Sequence, residues 1–220
     1  MTYDEVITSG CSYVAWCKNN KNHFGEVLSR HFDSEFVNLG VHGSSNDYSY
    51  LRVIKHLNDT SDDDRLLVVF GITQLTRLHE WNNIIDNHDS LWVNNKFNFC
   101  QNITELTSEK ERKQFLNFYI KYFYNEEFLR NKLEEKLIFL HNYLKKRNGK
   151  LVIFNSLDEF IPTKNILNFL RFNTSDKINN WRSFCIDENE LEQGHPNEKS
   201  NFDLGEKIIN FLGEKNDKMV

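Results

Sequence analysis

Short apolar runs alternate along the chain with stretches whose apolar residues recur at helical spacing. "DEVITS" (4–9) is a brief β-rich run that ends at Gly10. "KNHFGEVLSRHF" (21–32) sets Phe24, Val27, Leu28 and His31 on one helical face, and "SEFVNLG" (34–40) is a second strand candidate. "SNDYSYLRVIKHL" (45–57) reads as a helix capped by Ser45 or Asn46, with Tyr50, Leu51, Ile54 and Leu57 on one face. "RLLVVFG" (65–71) and "KLVIFNS" (150–156) are continuous apolar runs, as strands covered on both faces require. Between them a helical region at about 108–148 carries Leu129, Leu133, Leu137, Leu140 and Leu144 as an amphipathic stripe stopped by Asn148-Gly149. "SNFDLGEKIINFLGE" (200–214) is the closing helix.

The alternation β-α-β-α-β-α-β, followed by a loop and a helix, predicts an α/β fold: a parallel sheet with helices on both faces, a three-layer sandwich. With 2 Pro and no low-complexity linker, residues 1–220 read as one domain. The exception is a long insertion at about 82–107, where Asn94-Asn95 in "LWVNNKFNF" suggests a small hairpin. Its Trp81, Trp92, Phe97 and Phe99 suit either a mini-core or a stacking surface.

Composition narrows the function. A net charge of −5 argues against a general nucleic-acid binder, which needs a basic stripe against phosphates. No run is apolar enough to span a membrane, and "MTYDEVITSG" lacks the features of a signal peptide, so a cytoplasmic protein is expected, with room for a place in a larger particle. The 4 Cys form no CxxC pair and no zinc ligand set, so no metal and no cofactor is expected.

In an open parallel sheet, ligands bind beyond the carboxyl ends of the strands. After the first strand comes "GCS" with Ser12; after the second, "NLGVHGSSND" with Gly40 and Gly43; after the third, "GITQLTRLHEW" with Thr73, Gln74, Arg77, His79 and Glu80; after the fourth, "NSLDEF" with Ser156 and Asp158. The tract "DENELEQGHPNEKSNF" adds Glu192 and His195. A Ser, a His and a carboxylate at one rim suit acyl transfer: the His takes the Ser proton, the acid orients the His, and N–H groups hold the oxyanion.

These blocks resemble the SGNH (GDSL-like) hydrolases. "SGCS" (9–12) is similar to the first block, with Ser12 as nucleophile and Cys11 where Asp is usual; "NLGVHGSS" (38–45) to the second, with Gly43 giving an oxyanion N–H; "ELEQGHPNEKSN" to the last, with Glu192 three residues before His195. The third block departs from the family's Gly-x-Asn-Asp: Thr73 stands where the Asn would be, and Gln74 beside it is the other donor candidate. The resemblance implies a flavodoxin-like sheet and a metal-independent serine esterase acting through an acyl-enzyme on Ser12. Its substrate would be a small-molecule or carbohydrate ester. Read from the residues themselves, Arg77, His79 and Glu80 at the rim suit either binding of a polar substrate or a solvated loop or salt bridge. The polar rim and the aromatic insertion tilt the substrate toward a carbohydrate O-acetyl ester. Two alternatives stay open: a non-catalytic glycan-binding or structural module on the same fold, and a hydrolase using Cys11 as its thiolate nucleophile. The identity of the triad acid is open too, because Asp187, Glu188 and Glu190 crowd Glu192.

Overall fold

The computed structural model describes residues 2–17, 22–75, 77–82, 87–92, 109–122, 124–157, 160–163, 167–172, 180–188 and 190–216. The first apolar run is β1 (Glu5–Ser9), followed by a single helical turn, α1 (Ser12–Ala15), then α2 (Phe24–Phe32), β2 (Glu35–Asn38), α3 (Asn46–Asp59) and β3 (Leu66–Ile72). A hairpin of β4 (Arg77–Asn82) and β5 (Asn87–Trp92) leads to α4 (Glu109–Tyr122) and α5 (Glu126–Lys146). The chain closes with β6 (Lys150–Asn155), β7 (Asn168–Leu170), α6 (Trp181–Asp187), a hairpin of β8 (Leu191–Glu192) and β9 (His195–Pro196), and α7 (Glu198–Asn216).

Five strands form one parallel sheet in the order β2-β1-β3-β6-β7. The first strand lies between the second and third, the flavodoxin-like arrangement that opens a crevice at the carboxyl ends of β1 and β3. Alternation across the strands divides the core. Val6, Leu67, Val69, Val152 and Phe154 pack against Phe24, Leu28, Trp181, Leu204 and Ile208 on one face. On the other, Ile7, Leu66, Val68, Phe70, Leu151 and Ile153 meet Val53, Leu57, Leu137, Leu140 and Leu144. The stripe read from the sequence is therefore the seat of α5, and every residue of β3 is buried. No helix among the described residues is long and apolar enough to cross a membrane.

The structure corrects several expectations. The sheet has a fifth strand, β7, whose three residues are too few to show a period. The helical region at 108–148 is two helices, broken where the Asn125 side chain accepts from Phe128 N at 2.9 Å and caps α5. The supposed C-terminal loop holds α6 and a hairpin. In α3, Ser45 is the cap, but the inward face is Asn46, Ser49, Val53 and Leu57, while Leu51 is 42% exposed. The polar first turn faces the crevice because it bonds the strand ends there: Ser49 O accepts from Ser9 Oγ at 3.0 Å, and the Asn46 side chain bonds the backbone of Thr73. The insertion starts earlier than expected, with β4 opening at Arg77. The Asn94-Asn95 turn, Phe97, Phe99 and Asp158 lie outside the described residues.

His23 joins α1 to α2. It is 2% exposed, stacked between Phe24 and Phe36, and donates from Nε2 to Val14 O at 2.6 Å. Its Nδ1 accepts from Gly25 N at 3.0 Å, capping α2. This pairing holds the imidazole neutral, and burial lowers its pKa to about 4. The folded-state pKa lies below the unfolded one, so His23 contributes stability above pH 6.5. That stability is lost as pH falls, levelling off near pH 4. The full contribution is about 3 kcal/mol. Urea unfolding should show wild type losing about 2 kcal/mol more than His23→Asn between pH 7.5 and 4.5. Parallel pH profiles would contradict the assignment.

Candidate active site

The turn after β1 is built by close approach. Val14 fills a slot between two strand ends: a Cβ on Gly10 would stand 2.6 Å from its Cγ2, and one on Gly71 would stand 2.4 Å from it. The second block lies alongside, with Val41 N donating to Gly10 O at 3.0 Å. Cys11 turns under this elbow. It is 0% exposed, with Sγ 3.7 Å from Ser156 Oγ, which itself donates to Ile72 O at 2.7 Å. The thiol is thus a small core group beneath the turn. Ser12, the first residue of α1, is half-buried, and its Oγ has no hydrogen-bond partner among the described residues. Since α1 is one turn long, its dipole is weak; what it offers is the Ser12 N–H, which has no partner within the helix.

His195 arrives on the β8–β9 hairpin. Gln193 (φ +52°) and Gly194 (φ +78°) form its two-residue turn, both in the left-handed region that such hairpins require. The ladder pairs Glu192 directly with His195, so the two side chains leave the same face. His195 Nδ1 lies 3.3 Å from Gln193 O; a proton donated there leaves Nε2 with its lone pair free to act as a base. The hairpin's base is tied by Asn197 N to Glu190 O at 2.8 Å, Glu190 N to Cys185 O at 2.7 Å, and Asn201 Nδ2 to Asn197 O at 3.0 Å. Of the crowded acids, Glu190 is buried and ion-paired with Lys199, whereas Asp187 and Glu188 are exposed. Glu192 alone among the four is paired across the ladder with His195.

Two aromatic residues that follow Ser12 lie against this hairpin. The Tyr13 ring lies 5.4 Å from that of His195 and the Trp16 ring 5.7 Å. Tyr13 Oη also donates to Gly194 O at 2.7 Å. Burial raises the Tyr13 pKa, partly offset by the Arg182 guanidinium, so the phenol keeps the proton it donates. His42, beside Gly43, lies 6.2 Å from His195 ring to ring, and Gly43 has the left-handed φ of +73° that a glycine adopts without strain. The rings of Tyr13, Trp16 and His42, residues close in the chain to Ser12 and Gly43, thus cluster around His195.

The third block is arranged differently. Thr73 is 0% exposed, its Oγ1 buried with no hydrogen-bond partner among the described residues. Its backbone is clamped by one side chain: Thr73 N donates to Asn46 Oδ1 at 2.9 Å and Asn46 Nδ2 donates to Thr73 O at 3.0 Å. Arg77, expected to be open to substrate, is 5% exposed and donates to Ser44 O at 3.3 Å, so it braces the second block. Gln74 is half-buried beside Thr73. Sequence reading passed over Tyr13, Trp16, His42 and Asn46. Trp16 carries a visible signal, standing four residues after Ser12 with its N–H on Ser12 O at 3.0 Å; Asn46 looked like a cap and nothing more.

No protein-family model and no curated protein sequence matches the chain. Solved structures do. The psychrotrophic esterase EstA from Pseudoalteromonas sp., in a structure inhibited by monoethylphosphonate, is 10% identical over 97% of this chain and 99% of that one, with a TM-score of 0.52. A member of the lipolytic G-D-S-L family from Veillonella parvula is 12% identical over 94% and 96% of the two chains, with a TM-score of 0.46. A carbohydrate esterase whose active site displays divergent catalytic and non-catalytic binding functions is 12% identical over 97% and 69%, with a TM-score of 0.49. The likeness to the Pseudoalteromonas protein establishes the fold: this chain folds as SGNH-type esterases do.

Proposed function

We propose that the protein is a serine esterase that hydrolyses a small acyl ester through an acyl-enzyme on Ser12. The observation that carries this reading is the placement of His195 against Tyr13 and Trp16, the aromatic residues one and four positions after Ser12, in and just past α1. His195 Nε2 takes the Ser12 proton as Oγ attacks the ester carbonyl. The tetrahedral oxyanion rests on the N–H groups of Ser12 and Gly43. On collapse the alcohol leaves with the proton held by His195. Water then attacks the acyl-enzyme with His195 again as base, releasing the carboxylic acid and free Ser12. Glu192, opposite His195, stabilises the imidazolium that forms in each step. A third oxyanion donor falls to Thr73 or Gln74. The buried hydroxyl of Thr73 needs a small shift of the third block to serve, whereas the Gln74 amide starts half-exposed.

The buried Thr73 also supports a second reading, a binding module on the same fold that holds an ester or glycan without turning it over. Labelling with a fluorophosphonate separates the two. The expected result is a single adduct by intact mass on wild type and on Cys11→Ala, and none on Ser12→Ala. A folded wild type that takes no adduct sinks the esterase reading and leaves the binding module; an adduct lost only in Cys11→Ala would move the nucleophile to the thiol.

A further inference from the structure

The groups around His195 determine what lies next to the leaving alcohol, because the residue that accepts the Ser12 proton must later hand it to that oxygen. Three rings stand there: Tyr13 at 5.4 Å, Trp16 at 5.7 Å and His42 at 6.2 Å from the His195 ring. Tyr13 is buried and already committed to Gly194 O, so its role is to hold the hairpin. Trp16 and His42 are not enclosed: the indole is half-buried and the imidazole of His42 exposed. Two exposed polar residues stand beside this group: Gln193, whose carbonyl lies against His195, and Arg182, which faces the Tyr13 phenol.

We infer that Trp16 is a specificity-determining residue forming the alcohol-side wall of the site, and that the alcohol it receives is a saccharide ring. This rests on the esterase reading above. A flat indole face takes the C–H face of a pyranose, while His42 and Gln193 at its edge offer hydrogen bonds to ring hydroxyls. A long alkyl alcohol would need a continuous apolar lining, and the exposed edge formed by His42, Gln193 and Arg182 is polar. The acyl group, on the far side of the carbonyl from His195, does not touch this wall.

The test compares a fully acetylated methyl pyranoside with ethyl acetate, two substrates with the same acyl group and different alcohols. In Trp16→Leu the ratio of kcat/KM values, pyranoside over ethyl acetate, should fall about 5- to 10-fold, mostly through KM. Trp16→Phe, which keeps an aromatic face, should restore that ratio to within about 3-fold of wild type. A ratio unchanged in Trp16→Leu overturns the inference, as does an equal loss on both esters, since damage to packing or to His195 would affect both alcohols alike. If wild type is labelled at Ser12 and the ratio does not move, the inference alone fails. If wild type takes no label, the esterase reading fails and the alcohol-side assignment goes with it.

Discussion

His195→Ala is expected to lower the turnover of an acyl ester about 10⁴- to 10⁶-fold while the protein melts within about 3 °C of wild type. The size of the loss follows from the dual role proposed for the imidazole. Without it the Ser12 hydroxyl must lose its proton to water, and the alcohol must leave as an alkoxide. The N–H groups of Ser12 and Gly43 would still receive the oxyanion, which is why a residue of activity should remain above the uncatalysed rate. The small stability change follows from position. His195 is half-buried, directly after an exposed turn, and the ties that hold the hairpin are made by Glu190, Asn197, Asn201 and the Tyr13 hydroxyl. The paired measurement is steady-state hydrolysis with a thermal melt. A variant that melts like wild type and turns over within tenfold of it would remove His195 from the chemistry. The hairpin would then be a structural cover for α1.

How much of this was legible in the chain differed by element. The central strands were readable because burial on both faces leaves no choice of residue: "LLVVFGI" becomes β3 with all of its residues buried. The leucine stripe of α5 was readable for a similar reason, since one helical face meets the sheet. What could not be read were elements whose stability comes from contacts far along the chain. The β8–β9 hairpin has two residues per strand and no hydrophobic period; it exists because Asn197 bonds Glu190 and Asn201 bonds Asn197. The site shows the same division. In the proposed site, Ser12, Gly43 and His195 were candidates from local chemistry, a Gly-containing elbow and a His-Pro pair before the last helix. The partners Tyr13, Trp16 and Asn46 could not, because their roles lie in what they reach across the crevice. The inward face of α3 was misjudged for this reason too: a pattern of apolar residues favours Leu51, but the Asn46 side chain bonds Thr73 and the Ser49 hydroxyl bonds Ser44 Oγ, so both turn inward instead.

Asn46→Ala should destabilise the protein by about 2–5 kcal/mol, the largest loss expected from any single polar substitution at the rim. Asn46 is 6% exposed, and its amide is spent wholly on the backbone of Thr73, accepting from the N–H at 2.9 Å and donating to the carbonyl at 3.0 Å. Removing the amide leaves both groups of a fully buried residue without partners, and each such group costs about 1–3 kcal/mol. Asn46→Asp separates the two bonds: a carboxylate still accepts from Thr73 N but repels Thr73 O, so it should not rescue stability. Ser45→Ala, which removes the cap on Tyr48 N of the same helix, supplies the comparison at about 1 kcal/mol. Urea unfolding of the three variants decides the matter. A loss in Asn46→Ala no greater than that in Ser45→Ala would mean that water or a backbone shift satisfies Thr73 without Asn46. The third block would then be free to move, and the Thr73 hydroxyl could swing to the oxyanion at little cost. A large loss means that the clamp fixes Thr73 where it stands, which assigns the third donor to the half-exposed amide of Gln74.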